Sequence, residues 1–451
     1  MKKYLLLLLA VAIVGFAACE KQNGGENGSG NGAGNGTGTG DDGTDETVVI
    51  NGIIQIKDPN FLKALLVVKD MTIDGKLIHQ DIDRNIDGQI SVEEAKQVTH
   101  LQLGKYYDKD EKTNEPLYSD LRNIDEIRYF TSLKKLECDD NQLISLDLSK
   151  NTALEYLDCS NNYLTSLNLD KNTSLTYLEC DGNQWTTLDL SNHLSLEQVY
   201  CDSKDLDLNL SGCTALEEVS CGAKALDVSG CTALTGLYCS GHFHNNQLAS
   251  LDVSGCTALT YLYCDNNDLT TLNLSGCTAL TKLDCHSGDL TILNLSGCAA
   301  LTELHCMDNQ LASLDISGCT ALTKLDCRDN QLTSLGVSGC TALEYLDCHN
   351  NKLSSLDVSG CTALEYLSCP QNQLTTIDVS ECIALESLSC SDNQLTTLDL
   401  STNTILKTLW CKNNPLTRLI LYKHHTISET DGYSGKPEDK YSYRDIIEYA
   451  E

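Results

Sequence analysis

A short segment near the N-terminal end carries oxygen donors at the spacing that a hard cation requires. Asp83, Asn85 and Asp87 alternate along it, Gly88 permits a sharp turn, and Glu94 closes it with a carboxylate. Carboxylate, amide and carbonyl oxygens in this order are the ligands that Ca²⁺ prefers in proteins. We therefore predict one structural calcium ion, bound by six residues: Asp83, Asn85, Asp87, Gln89 through its carbonyl, Ser91 through a water, and Glu94.

This segment, residues 83–94, resembles a single EF-hand loop of the dockerin-like kind that occurs in bacterial surface proteins. The resemblance implies that calcium fixes the N-terminal cap of the protein. Two residues depart from the pattern, because Ile86 replaces a small or polar residue and Ala95 stands where a larger apolar residue is common. The alternative interpretation is an Asx-rich turn that binds no metal.

Cysteine is the second residue type whose spacing could do chemistry, since the chain contains 24 cysteines. Disulfides are the first expectation for an exported protein. However, the cysteine of the repeated Ser-Gly-Cys turn is replaced by Asn151, Asn172 and Asn403 in equivalent turns. A position that accepts asparagine is not an obligatory bridge, so we predict free, buried thiols. No C-x₂-C pair occurs, which argues against metal ligation by cysteine.

Histidines occur at two places that could bind a metal. Asp284, His305 and Asp326 form one row across successive repeats, and His242-x-His244 lies in an irregular repeat. The row would have to converge from strands ~4.8 Å apart to hold an ion. We interpret it as salt bridges between strands, and the His-x-His pair alone is a weak metal signal.

A 21-residue repeat must position the cysteines and histidines. It runs L-T-K-L-D-C-R-D-N-Q-L-T-S-L-G-V-S-G-C-T-A from Leu322, and fourteen cysteines from Cys138 to Cys411 mark it, with irregular spacings around Cys221 and Cys239. Leu-x-Cys predicts one short strand, and Leu335-Gly-Val337 predicts a second extended segment on the opposite side. One such coil has no closed core, so the coils must stack. We predict a mostly-β solenoid of about fourteen coils with parallel strands, whose turn asparagines bond to neighbouring coils.

The repeat resembles leucine-rich repeats, with cysteine in the third apolar position. The resemblance covers Val48 to about Leu421 and is to leucine-rich-repeat surface lipoproteins of the Bacteroidetes type. It implies an adhesion protein that binds a protein or glycan on a host or microbial surface. The sequence shows no G-x-S-x-G, H-E-x-x-H, P-loop or dinucleotide motif, so we do not expect an enzyme.

The N-terminus indicates export and anchoring. Lys2 and Lys3 precede a short apolar run that ends at Ala18, and Cys19 follows as in a bacterial lipoprotein box. The alternative is an ordinary signal peptide. We predict a signal peptide over residues 1–18, a lipidated Cys19 with a flexible tether over 19–47, an N-terminal cap over 48–130, repeats over 131–420 and a C-terminal cap over 421–451. The lipid would anchor the protein to the outer membrane, exposed at the cell surface.

The charge of the chain limits its partners. A net charge of −33 argues against nucleic acid and against direct contact with anionic membranes, but it permits cations and basic proteins. We expect a monomer whose membrane contact is the lipid anchor alone.

Aromatic residues are concentrated at the outward positions of the predicted strands. Aromatic side chains on a rigid sheet supply contact area at low entropic cost. Two alternatives remain, a structural spacer in which the tyrosines only support the sheet, and a glycan-capture component of a nutrient uptake system. The predicted partner-binding residues are Tyr156, Tyr177, Tyr200, Tyr238, Tyr261, Tyr263, Tyr345, Tyr366 and Trp410.

Overall fold

The structure is a computed structural model. It describes residues 49–67, 70–73, 76–79, 82–104, 120–191, 193–203, 205–241, 247–423, 429–431 and 446–450. The signal peptide, Cys19, the tether and the pair His242 and His244 lie outside the described residues. Within them, no helix is long and apolar enough to cross a membrane.

Parallel strands from successive coils build the main sheet. Its sixteen strands follow one another in chain order, and equivalent leucines pair, as Leu325 does with Leu304 and Leu346. Each cysteine predicted to end a strand lies in a strand or directly after one. The strands are His100–Gln102, Lys135–Glu137, Tyr156–Asp158, Tyr177–Glu179, Gln198–Asp202, Glu218–Gly222, Gly236–Tyr238, Tyr261–Tyr263, Lys282–Asp284, Glu303–His305, Lys324–Asp326, Tyr345–Asp347, Tyr366–Ser368, Ser387–Ser389, Thr408–Trp410 and Glu429–Asp431.

Shorter sheets cover the opposite side of the coils, where the repeat predicts a second extended segment. Between these sheets the segments are joined by isolated bridges, for example from Leu314 to Leu335. The strands on this side are Thr187–Asp189, Asp207–Asn209 and Ala225–Asp227 in one sheet, Thr271–Asn273 and Ile292–Asn294 in a second, and Thr397–Leu400, Arg418–Tyr422 and Ile447–Ala450 in a third.

Leucine and cysteine fill the interior between the two sides. In one coil, Leu325, Cys327 and Leu332 are fully buried, and Leu335 is 5% exposed. Burying one leucine contributes about 1.5–3 kcal/mol relative to leaving it in water, and each leucine here has an equivalent neighbour in the adjacent coil. The mostly-β solenoid of stacked coils predicted from the sequence is therefore confirmed.

An asparagine three residues after most strand-ending cysteines joins neighbouring coils. Asn330 donates from Nδ2 to the carbonyl oxygens of Cys306 (2.9 Å) and Cys327 (3.2 Å), and its Oδ1 accepts from the amide of Leu311 (3.0 Å). Backbone groups buried at a turn need such partners. The predicted role is confirmed for all ten residues in this position: Asn141, Asn162, Asn183, Asn267, Asn309, Asn330, Asn351, Asn372, Asn393 and Asn414.

The caps continue the stack at both ends. The N-terminal helix Pro59–Val67 buries Phe61 and Leu65 in the core that continues through the coils, and Asp58 Oδ1 caps it by accepting from the amide of Asn60 at 2.8 Å. The main sheet reaches into both caps through its first and last strands. The remaining cap elements are the strands Val49–Ile50, Ile53–Ile54, Asp70–Ile73 and Lys76–His79, the helix Val92–Ala95, and the 3₁₀-helix Asp125–Tyr129.

Candidate functional site

The outward side of the main sheet is the candidate binding surface, and we call it the strand face. In each coil it comprises the residue before the second leucine, the residue between that leucine and the cysteine, and the residue after the cysteine. The predicted aromatic residues all lie on it, with Tyr261 40% exposed and the others half-buried. The face therefore presents aromatic side chains that are partly open to a partner.

Tyrosines on neighbouring strands stack ring on ring. The ring centroids of Tyr156 and Tyr177 are 4.2 Å apart with the planes 2° from parallel, and those of Tyr345 and Tyr366 are 4.6 Å apart. This separation follows from strands spaced ~4.8 Å apart, so in-register tyrosines stack without changing the sheet. Stacking supports the sheet, and it also holds the hydroxyl ends at fixed positions on the strand face.

A cluster of carboxylates lies on the strand face of the first coils. Burial raises the pKa of Asp158 to about 6, with Glu179 on the next strand adding to the increase and a hydrogen bond from Ser160 opposing it. Glu137 behaves differently. Burial alone would raise its pKa, but hydrogen bonds from His100 and Lys135 hold it below the usual range.

Asp139 is the most perturbed member of this acidic cluster. Burial, followed by the charge of Asp158, raises the pKa of Asp139 to about 7, and its Oδ1 has no hydrogen-bond partner among the described residues. A Cβ atom on Gly104 would clash with that carboxylate, so any larger residue at position 104 would require the Asp139 side chain to move. Asp139 and Asp158 occupy outward positions of their coils, but both side chains are buried.

Ion pairs link the strands in the middle of the face. Lys282 Nζ lies 2.9 Å from Glu303 Oε1 on the next strand, and His305 Nδ1 lies 3.6 Å from Asp284 Oδ2. Arg328 Nη1 lies 3.5 Å from Asp326 Oδ2 in its own coil and 4.0 Å from Asp347 Oδ2 in the next coil. The contact between His305 and Asp284 on adjacent strands is the one that the salt-bridge interpretation of this row predicts, and it is an ion pair when His305 is protonated.

Sequence reasoning missed a closer set of groups beside this row. Asp265, Asp284 and His286 each offer a ligand atom, and the three atoms lie within 4.8 Å of one another. The hydrogen bond to Asp284 raises the pKa of His286, while His286 and His305 together hold the pKa of Asp284 well below its usual range against the effect of burial. The signal was available in the sequence, since Asp265 and His286 occupy the same position in adjacent coils.

Hydrogen bonds between side chains and backbone amides hold the loop 83–94 in a tight turn. Asp83, 6% exposed, accepts from the amides of Asp87 (3.2 Å) and Gly88 (2.7 Å), and Gly88 adopts a φ of 77°. Glu94 accepts from the amide of Ser91 at 2.8 Å in a capping box. All six predicted calcium ligands lie on this one loop. Within the described residues, however, the ligand atoms of Asp83, Asp87 and Glu94 do not all lie within 4.8 Å of one another, as those of the set around His286 do.

Comparison with known proteins places this architecture among solved structures. Residues 320–360 match a family described as "Leucine Rich repeats (2 copies)". The functional domain of InlJ from Listeria monocytogenes, which includes a cysteine ladder, is 32% identical, with 74% of this chain and 70% of that chain covered and a TM-score of 0.53. A comparison with curated protein sequences gave no match.

Two further structures are similar at lower identity. The ectodomain of the Arabidopsis receptor kinase HAESA, in complex with a peptide hormone ligand, is 20% identical over 73% of this chain and 60% of that one, with a TM-score of 0.51. YopM from Yersinia pestis, a leucine-rich effector protein, is 26% identical over 72% of this chain and 80% of that one, with a TM-score of 0.45.

Proposed function

This chain belongs to the leucine-rich-repeat proteins, and from that premise we propose that it is a binding protein that recognises a protein partner through its strand face. Proteins with this solenoid commonly bind other proteins, and they are typically non-enzymatic scaffolds. The observation that carries the proposal is the row of partly exposed aromatic side chains on a sheet whose other side is a closed leucine and cysteine core.

The rigidity of the strand face favours binding over a purely structural role. A side chain that is already ordered loses little conformational entropy when a partner covers it. The rings of Tyr238 and Tyr263 stack with their centroids 5.3 Å apart, and Tyr261, on the same strand as Tyr263, leaves 40% of its surface exposed. Exposure of a tyrosine does not help it to support the sheet, so the exposed surface of Tyr261 favours a role in binding.

The charge of the face indicates the class of partner. Glu137, Asp158 and Glu179 lie beside the stacked pair Tyr156 and Tyr177, and Tyr177 donates a hydrogen bond to Glu179 at 2.7 Å. Acidic groups beside aromatic rings suit lysine and arginine side chains, which pair with carboxylates and lie over rings. Lys135 makes both contacts within this chain, with its Nζ 4.2 Å from the centroid of Tyr156 and 2.8 Å from Glu137. We propose a basic surface on a host or microbial protein as the partner.

Anchoring at the cell surface is a further part of the proposal. It is supported by the sequence around Cys19 and by the flexible composition of residues 19–47. A monomer with a lipid on Cys19 in the outer membrane would hold the strand face away from the bilayer. Metabolic labelling with a radioactive fatty acid tests it, because the wild type should be labelled and Cys19→Ser should not. Label retained by Cys19→Ser, or absent from the wild type, would refute the anchor.

We also propose that loop 83–94 binds one calcium ion that stabilises the N-terminal cap. The support is the set of amide contacts that orient Asp83 and Glu94, together with the positive φ of Gly88. Calorimetric titration with Ca²⁺ should give one equivalent of heat for the wild type and none for Asp83→Ala. Equal heats for the two proteins would contradict calcium binding by the loop 83–94.

Binding panels distinguish the proposed function from its alternatives. The purified protein is applied to immobilised extracellular-matrix proteins and, in parallel, to a glycan array. We expect saturable binding to a basic matrix protein, weakened by salt because the face is acidic. Binding to glycans alone would favour the glycan-capture component, and binding to neither would favour the structural spacer.

A further inference from the structure

Three potential metal ligands meet on the strand face at the junction of two coils. Asp284 and His286 flank the buried Cys285 at the end of one strand, so both side chains point outward. Asp265 stands one coil earlier, in the position equivalent to His286. Because parallel coils stack in register, the equivalent positions are neighbours, and one ligand atom from each residue lies within 4.8 Å of the others.

Hydrogen bonds orient the side chains of this cluster. His286 Nδ1 lies 2.5 Å from Asp284 Oδ1, and His286 Nε2 lies 3.9 Å from Asp265 Oδ2. Asp265 is 3% exposed, and both Ser240 and Asn266 donate hydrogen bonds to its carboxylate. Ligating carboxylates and imidazoles are commonly oriented by such hydrogen bonds.

A second imidazole stands beside the cluster. His305 Nδ1 lies 3.6 Å from Asp284 Oδ2, on the side of Asp284 away from Asp265. Its Nε2 is buried and has no hydrogen-bond partner in the part of the chain that the structure describes. A buried polar nitrogen without a partner is costly, so His305 adds a second imidazole beside the cluster without being one of its ligands.

We propose that Asp265, Asp284 and His286 form a binding site for a divalent transition-metal ion of the Zn²⁺ class. One carboxylate oxygen from each aspartate and one ring nitrogen of His286 bind the ion, and water completes the shell. Imidazole with carboxylate suits Zn²⁺ and its neighbours in the transition series, whereas Ca²⁺ takes oxygen ligands. Ligand atoms bound ~2.0–2.2 Å from one ion lie up to about 4 Å apart, so small side-chain rotations close the site.

The chain offers a matched control in a later coil. His349 repeats two of the contacts, with Nδ1 2.9 Å from Asp347 Oδ1 and Nε2 3.3 Å from Asp329 Oδ2. Within the described residues, the ligand atoms of Asp329, Asp347 and His349 do not all lie within 4.8 Å of one another. A variant at His349 therefore removes a histidine with similar partners without removing the proposed site.

Calorimetry with Zn²⁺ on the metal-stripped full chain tests the proposal. We expect one equivalent to bind the wild type and His349→Ala with equal affinity, and His286→Ala and Asp265→Asn to bind at least 10-fold more weakly. Thermal unfolding checks that each variant is folded, and Asp284→Asn serves as a further variant if one fails. Absence of binding to the wild type, or equal loss in His349→Ala, would overturn the site.

X-ray absorption on the Zn²⁺ complex identifies the donor atoms. The proposal requires nitrogen and oxygen neighbours at ~2.0–2.2 Å. Sulfur neighbours at ~2.3 Å would mean that cysteines bind the ion instead, and that result would refute the proposal.

Discussion

The Sγ atom of Cys213 lies 3.2 Å from the carbonyl oxygen of Leu190 in the preceding coil. Asn172 occupies the equivalent position two coils earlier, and its Nδ2 donates to the carbonyl of Leu148 at 3.2 Å. His193, in the coil between, places Nε2 3.1 Å from the carbonyl of Leu169. Cysteine, asparagine and histidine can each occupy this turn position because each can donate a hydrogen bond to the coil before it.

This relationship predicts that the turn position selects a donor of limited size. Cys213→Ser keeps a donor, whereas Cys213→Val fills the space but leaves the carbonyl of Leu190 without this bond. We expect Cys213→Val to be about 1 kcal/mol less stable than Cys213→Ser. Urea unfolding of the two variants measures the difference. A valine variant as stable as the serine variant would show that the position is filled by packing alone.

The cysteines should be reduced in the native protein. All 23 that the structure describes are free thiols, 22 of them buried, and burial raises the pKa of residues such as Cys285 and Cys327. A thiol reagent applied to the chain without residues 1–19 should react slowly in buffer and with nearly all cysteines in denaturant. Fewer than about half reacting in denaturant would contradict the free thiols.

The turn asparagines should contribute more to stability than any exposed residue of the same turn. Asn330→Ala removes the bonds to Cys306 and Leu311 in the preceding coil and leaves buried backbone groups unpaired. We expect a loss of about 2–3 kcal/mol in the free energy of unfolding. Gln331→Ala, at the exposed neighbouring position, is the control and should change stability by less than about 0.5 kcal/mol. Equal effects of the two substitutions would contradict the role of Asn330.

Stability should fall as the pH rises through the range in which Asp139 ionises. Its pKa of about 7 in the folded chain exceeds the ordinary value of 3.8, so the native state binds this proton more tightly than the unfolded state does. The free energy of unfolding therefore decreases between about pH 4 and pH 7 and levels off above that. Asp139→Asn should reduce this decrease by about 2 kcal/mol.

Urea unfolding at pH 5 and pH 8 measures the effect of Asp139→Asn. Asp170→Asn, which also removes one carboxylate but lies at an exposed position, is the control and should leave the decrease unchanged. A pH dependence that is the same in the wild type and in Asp139→Asn would show that another group is responsible.

The fold could be predicted because each coil repeats the same short sequence pattern. Leu-x-Cys alternation, the turn asparagine and the near-constant spacing all act within one coil or between adjacent coils, so they are readable from the sequence. The cluster around His286 could not be inferred as easily, because it joins residues of two coils and depends on side-chain direction. The burial of Asp139 is likewise a property of packing against Gly104, which the repeat pattern does not contain.

The affinity of a variant that lacks Tyr261 and Tyr263 tests most directly whether the strand face binds the partner. The double variant Tyr261→Ser/Tyr263→Ser is compared by surface plasmon resonance with the wild type on the matrix protein that the panel identifies. The control is Ile292→Ser, a 60% exposed residue on the opposite side of the coils. We expect at least 10-fold weaker binding for the tyrosine variant and an unchanged affinity for the control. Both variants should unfold cooperatively, the tyrosine variant at a slightly lower temperature because it loses the stack of Tyr263 on Tyr238. Undiminished binding by the tyrosine variant, or its loss in the control, would contradict the assignment of function to the strand face.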